Sequence, residues 1–257
     1  MQRDFYLTLP SNTDGESNKT NSYRVNLPIQ FSLQGEWEVA LSEISYPHSW
    51  SNVKNRENYF RLNGPKHRNH YYIPEKKYSS PDELVEALNH ATSGDGVDIS
   101  TLYEDITVKF YYKRAKNRIM VSVDKWGYSL ELSKKLQYIL GYDASVVITG
   151  EHYDSINYSE HPPDLTGGFT SLFVYCDLIA PQIVGNVNAQ VVRVVNIEAK
   201  EFGQNVDMQY SNPHYVPVLK KDFSSIEIDI KDDRGQLVPF EFGKVCVKLH
   251  FRRTIRG

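Results

Sequence analysis

The residues able to do chemistry are scattered along this chain and seldom at a working spacing. Gly243-Lys244 ends like a phosphate cradle, but the position five before that glycine is Val238, so the P-loop spacing fails. No Gly-x-Gly-x-x-Gly follows a strand pattern. Gly127-Tyr128-Ser129-Leu130 is followed by Glu131, not by glycine, so the nucleophile elbow of hydrolases fails too. His67 and His70 stand three apart, a spacing that could share a helical face, yet they lie in a turn entering a strand. There is no His-Glu-x-x-His. Asp229, Asp232 and Asp233 lack the alternating oxygen ligands of a calcium loop and read as a charged hairpin tip. Cys176 lies in the apolar run Leu172-Phe173-Val174-Tyr175-Cys176, and Cys246 on a strand near the end. A thiol in such a place is a small hydrophobe. These residues imply no cofactor, no metal and no catalytic centre. The expectation is a structural or binding protein, not an enzyme.

Composition sets the frame for the elements. Over 257 residues, 40% are hydrophobic and 24% charged, which is globular and not disordered. The net charge of −3 argues against a general electrostatic nucleic-acid binder. Two cysteines exclude a disulfide framework. No apolar run approaches the roughly 18 residues of a membrane span. The segment Met1–Leu7 has no apolar core for a signal peptide, so a soluble intracellular product is expected. Eighteen Tyr and eleven Phe against three Met favour strands.

The periodicity agrees. Val25, Leu27, Ile29, Phe31 and Leu33 alternate with polar residues, and Pro28 among them predicts an edge or a bulge. Trp37, Val39 and Leu41 alternate, then Ile44 and Tyr46 continue on the other parity, which predicts a bulge near Ser42-Glu43. Leu172–Ile179 reads as a strand buried on both faces. Val191–Ile197 reads as a further strand, and Ile226, Ile228 and Ile230 alternate before an Asp232-Asp233-Arg234-Gly235 turn. Val238, Phe240 and Phe242 are out of phase with Val245, Val247, Leu249 and Phe251, which predicts a bulge at Gly243. Asp4–Pro10 is a peripheral strand that could pair at home or on a neighbour. Ser80-Pro81-Asp82-Glu83 opens a helix with a capping serine, and Ser133–Leu140 closed by Gly141 is a second.

Many strands, two modest helices and no β-α-β rhythm predict an all-β fold. The expectation is a single jelly-roll sandwich of about eight main strands over 1–257. It carries a helical insertion near 79–93, a short helix near 133–140 and a long loop near 143–168. That loop reads as a connection, not a domain boundary.

Several stretches, in order, resemble the minor capsid (penton) protein of Polintons, or Mavericks, the virus-like DNA transposons. They are Phe5-Tyr6-Leu7-Thr8-Leu9-Pro10-Ser11-Asn12, Gly35-Glu36-Trp37-Glu38-Val39-Ala40-Leu41, and Ile44-Ser45-Tyr46-Pro47-His48-Ser49-Trp50. Further along come Leu136-Gln137-Tyr138-Ile139-Leu140-Gly141 and Val174-Tyr175-Cys176-Asp177-Leu178-Ile179-Ala180-Pro181-Gln182-Ile183-Val184-Gly185. The last are Pro213-His214-Tyr215-Val216-Pro217-Val218, Ile226–Ile230 and Phe240-Glu241-Phe242-Gly243-Lys244-Val245. The resemblance implies a jelly roll whose homopentamer forms the vertex of an icosahedral capsid, beside a separate double-jelly-roll major capsid protein, and hence a location in the virion. It carries over no catalytic residue. Tyr46, His48, Trp50, His214 and Tyr215 follow strand ends beside prolines, so they are candidate subunit-interface residues, with core packing equally open for Trp50. Arg252, Arg253 and Arg256 form a basic tail that could meet packaged DNA. The alternative is a carbohydrate- or receptor-binding sandwich, because jelly rolls also serve lectins.

Overall fold

Alternation of apolar and polar side chains becomes strand at most places where the sequence carries it. The computed structural model describes residues 4–13, 17–54, 56–65, 68–93, 108–124, 126–143, 148–150, 155–198 and 200–254. The chain begins with β1 (Asp4–Pro10), β2 (Ser22–Ser32) and β3 (Trp37–Pro47). Next come β4 (Tyr59–Asn63), β5 (Arg68–Tyr72), helix α1 (Pro81–Thr92), β6 (Val108–Lys113), β7 (Arg118–Val123) and β8 (Ser129–Leu132). Helix α2 (Lys134–Leu140), β9 (Ile148–Thr149) and β10 (Ser155–Tyr158) follow. The last part holds β11 (Ser171–Cys176), β12 (Gln182–Val184), β13 (Val187–Ala189) and β14 (Val191–Asn196). It closes with β15 (Asn205–Gln209), β16 (Val216–Pro217), β17 (Asp222–Lys231) and β18 (Cys246–Arg253).

These elements gather into two compact units, 1–50 with 169–257, and 51–168. The long loop expected near 143–168 falls in the second of these units. The stretch 143–168 contains β9 and β10, and a unit boundary falls at its end. Pro162-Pro163 and Gly167-Gly168 read as loop whether or not a unit boundary follows them.

The first unit is the jelly roll. Its two sheets run β1-β18-β3-β15 and β14-β11-β17-β2, with β16 also pairing β3. Taken in chain order as strands one to eight, the antiparallel partners are first with eighth, second with seventh, third with sixth and fourth with fifth. That is one long hairpin rolled up, the jelly-roll wrapping. The about eight main strands expected from periodicity are these. The core lies between the sheets, where Val39, Leu41, Leu172, Val174, Ile226, Ile228, Ile230, Val247, Leu249 and Phe251 are all buried. The expected Ser42 bulge is present: Lys248 pairs Glu43, Leu249 pairs Leu41, and Ser42 is the extra residue, its hydroxyl donating to the Lys248 carbonyl at 2.9 Å. Pro28 lies in the edge strand β2, within the stretch between Asn26 and Phe31 where the register against β17 jumps, so no ladder bond is lost.

Two strand readings are corrected. β11 ends at Cys176 and alternates buried with half-buried residues, so it is covered on one face and not on both. Residues 238–245 are irregular and β18 starts at Cys246, so the phase change at Gly243 is a turn and not a bulge. Gly243 has φ +88°, and a Cβ there would lie 2.7 Å from the Pro47 Cβ. Both facts exclude a larger residue from the turn.

β1 pairs β18 over its whole length, Asp4 opposite Arg252 to Pro10 opposite Cys246. Of the two options open for this strand, the structure has it paired at home. It is also held through side chains: Leu9 is buried, and Phe5 stacks on Phe251 at 4.9 Å and on Phe31 at 5.2 Å. Phe5→Ala is expected to lower stability by about 2 kcal/mol, the loss of stacking plus a half-buried ring, measured by urea unfolding. An unchanged midpoint would mean that β1 adds nothing to its own sheet.

The second unit has sheets β5-β4-β8-β9 and β10-β7-β6. Both expected helices are present. The Ser80 hydroxyl accepts from the Glu83 N–H at 3.2 Å, and the Glu83 carboxylate accepts from the Ser79 N–H at 2.8 Å. Leu84, Leu88 and Ala91 form the buried stripe of α1. Ser133 caps α2 through the Leu136 N–H at 3.3 Å, and Gly141 ends it in the left-handed region. Asn52 joins the two ends of this unit: its amide donates to the Tyr78 and Leu165 carbonyls, both at 2.9 Å, and its oxygen accepts from the Tyr78 N–H.

Candidate assembly surface

The loops after the odd-numbered strands of the roll meet at one end. Thr20 and Asn21, after β1, donate side-chain hydrogen bonds to the Gly243 and Val238 carbonyls at 3.1 and 2.8 Å. The Ser49 hydroxyl, after β3, donates to the Phe242 carbonyl at 2.7 Å, and the Ser49 carbonyl accepts from the Glu241 N–H at 2.7 Å. His48 and residues 203–204, after β14, exchange backbone bonds of 2.8 and 2.9 Å. Four connections are thus knitted into one cap.

That cap decides the fate of the expected interface residues. Tyr46, at the end of β3, and His48 and Trp50, within the cap, are buried, with Trp50 1% exposed. The Trp50 ring meets His48 edge-on at 4.3 Å, Phe169 at 5.3 Å and Phe240 at 6.0 Å. Burial also pushes the Tyr46 phenol up to about 12. A strand end beside Pro47 suggested projecting side chains; Pro47, Ser49 and Trp50 are instead covered by the loop 238–245. These three residues are core and not surface. Trp50 and Phe169 have a further meaning, because the chain leaves the first unit at Trp50 and returns at Phe169. Their contact closes the roll across that gap.

His214 and Tyr215 are elsewhere, after β15. His214 is exposed. Tyr215 is half-buried, its hydroxyl 2.7 Å from His250 Nδ1 and its ring 3.4 Å from the Arg252 guanidinium. Arg252 donates to the Glu38 carboxylate at 2.5 Å and pairs in register on β18, as does Arg253. These two arginines belong to the sheet, and Arg252 is already paired with a carboxylate. Arg256 lies outside the described residues.

The surface that does project was not singled out from the sequence. β12 and β13 form a two-stranded hairpin of their own, turned at Gly185. Ile183 is 83% exposed and Val187 55%. The run from Leu178 to Val192 contains no charged residue, which is the composition of an interface core and not of a wetted loop. That charge gap was the available signal. At the knitted cap, Phe202 and Phe242 form an exposed edge-to-face pair at 5.5 Å.

The chemistry of the described residues is plain. No group of three His, Cys, Asp or Glu is placed to hold a metal ion. Burial pushes the Cys176 thiol up to about 12 and raises that of Cys246, so both are held as thiols, without the nucleophilic form. No described helix is long and apolar enough to cross a membrane.

No family model and no curated protein sequence matches the chain. Solved structures do match it. The mavirus penton protein superposes with a TM-score of 0.55 at 8% identity, covering 98% of this chain and 100% of that one. A chain of the Sputnik virophage superposes with a TM-score of 0.50 at 9% identity, covering 98% of each. At such identity no residue carries over by position, and what is shared is the fold.

Proposed function

We propose that the chain is a structural capsid protein, five copies of which form the vertex of an icosahedral virus-like particle. The observation that carries this is the end-to-end likeness to the mavirus penton protein, insert included. The partners under this reading are four further copies and a separate double-jelly-roll shell protein, and its location is the virion. A ring of five needs heterologous contacts, one face of a subunit against a different face of the next. The β12–β13 hairpin supplies one candidate face, since an isolated two-stranded hairpin with an apolar tip is marginal in water and gains by being covered. Phe202 with Phe242, and His214 with Tyr215, are candidates for the other. Contact with packaged DNA would fall to the C-terminal tail with Arg252, Arg253 and Arg256. No observation favours the carbohydrate-binding alternative.

The test is co-expression with a shell protein, scored by vertex incorporation. Ile183→Asp is expected to leave the circular dichroism unchanged and to lower incorporation by about tenfold or more, the scale of losing one well-buried contact residue. Wild-type incorporation of this variant would remove the hairpin from the interface. A wild-type chain that folds and never enters particles would refute the vertex reading itself.

A further inference from the structure

The antiparallel register of the β10-β7-β6 sheet assigns side chains to its two faces. Lys109, Tyr111 and Lys113 of β6 stand opposite Ser122, Met120 and Arg118 of β7, and Tyr158 of β10 stands opposite Met120. The other face, with Val108, Phe110, Ile119, Val121 and Val123, is buried in the core of the second unit. The outer face therefore presents two tyrosines flanking Met120, both more than a third exposed, among basic groups. Lys113 Nζ lies 4.7 Å from the centre of the Tyr111 ring, and Lys116 Nζ 4.2 Å from that of Tyr158. Five of the ten residues from Lys109 to Arg118 are basic, and no carboxylate occurs between Asp105 and Asp124. Nearby groups reduce the charge only in part. Arg114 is paired with Asp82 of α1 at 3.1 Å, and Arg118 donates to the Asn117 carbonyl at 3.0 Å. Glu86 of α1 lines the groove beside β6 together with Asp82. Among the described residues, Lys109, Lys113 and Lys116 have no carboxylate partner within salt-bridge distance.

We propose that this face binds single-stranded nucleic acid, with Tyr111 and Tyr158 stacking bases and Lys109, Lys113 and Lys116 holding phosphates. Mobile lysine cations beside partly exposed aromatic rings on a sheet are what a sequence-tolerant strand needs, because every base has a π-face to take the place of an ammonium on a ring and every step carries a phosphate. A sulfated polysaccharide would use the lysines but has no aromatic group to stack. The proposal stands on the face itself and is independent of the vertex reading.

The test uses the full chain and a fluorescein-labelled 12-nucleotide oligothymidylate, read by fluorescence anisotropy. Saturable binding is expected at 50 mM NaCl. Three phosphate contacts give a slope of log K against log salt of about −2. Lys113→Glu with Lys116→Glu should weaken binding at least tenfold. Tyr111→Ala with Tyr158→Ala should also weaken it about tenfold or more, while Tyr111→Phe with Tyr158→Phe binds as wild type, since a phenyl ring stacks as well. Far-UV circular dichroism checks that each variant is folded. No saturable binding at 50 mM NaCl would overturn the proposal. So would lysine-dependent binding that ignores the tyrosine-to-alanine change and is displaced more strongly by heparin oligosaccharide than by oligothymidylate, an outcome that would assign the face to a sulfated glycan.

Discussion

Trp50→Ala is expected to lower the stability of the first unit by about 3–5 kcal/mol, the range for truncating a fully buried aromatic. The ring is 1% exposed and touches His48, Phe169 and Phe240. Its removal opens a cavity beside residues that cannot easily collapse into it, because His48 and Ser49 are fixed by hydrogen bonds to Gln204, Gly203, Glu241 and Phe242. It also removes the ring contact between the points where the chain leaves and re-enters the first unit. Any loss of assembly in this variant should accompany loss of the fold. Urea unfolding with near-UV circular dichroism measures it. A variant with wild-type stability that fails only in assembly would return Trp50 to an interface.

The roll was legible wherever one face of a strand is buried. Ile226, Ile228 and Ile230 alternate with Glu227 and Asp229 because every second side chain of β17 enters the core, and the parity change at Ser42 was readable because a bulge inserts one residue. The parity change at Gly243 had the same local signature from a different cause, a turn packed against Pro47, and alternation cannot tell the two apart. Tyr46 and His48 read as surface, and Trp50 stayed open between core and interface, for a related reason. Their neighbour Pro47 reports extended backbone, whereas Trp50 packs on Phe240, nearly two hundred positions away, and Tyr46 and His48 meet β15 and the segment before it. The β12–β13 hairpin was hidden by its own composition, since apolar residues in alternation suggest core until the structure leaves Ile183 in solvent. The basic face of β6 and β7 was hidden by arithmetic. Asp95, Asp98, Glu104 and Asp105 precede it in the chain and cancel most of its charge in any average over the region.

The second unit has a comparable point of failure at Gly141. This residue ends α2 with φ +82° and ψ 25°, and the Tyr142 N–H donates back to the Gln137 carbonyl at 2.8 Å, closing the helix. The Gly141 carbonyl accepts from the His161 N–H at 2.9 Å, and the Asp164 N–H donates to the Ile139 carbonyl at 2.8 Å, so the strip 161–164 is strapped onto the end of the helix. A Cβ on residue 141 would lie 2.2 Å from the His161 carbonyl oxygen and 2.9 Å from that of Pro162. Both are backbone atoms, held by those same bonds, and neither can swing aside as a side chain can. Gly141→Ala therefore adds a steric loss to the conformational one. The left-handed backbone alone costs an alanine about 1–2 kcal/mol. Displacing the strap breaks at least one buried backbone bond, roughly 1–3 kcal/mol more. The sum, about 2–5 kcal/mol before any clash is counted, is enough to unfold a marginal unit. Gly185→Ala is the control, because Gly185 has φ +61° with nothing within 4 Å of its Cβ position. It should show the conformational loss alone. Urea unfolding of both variants compares them, and equal midpoints would mean that the strap yields and the contact at Gly141 is not a constraint.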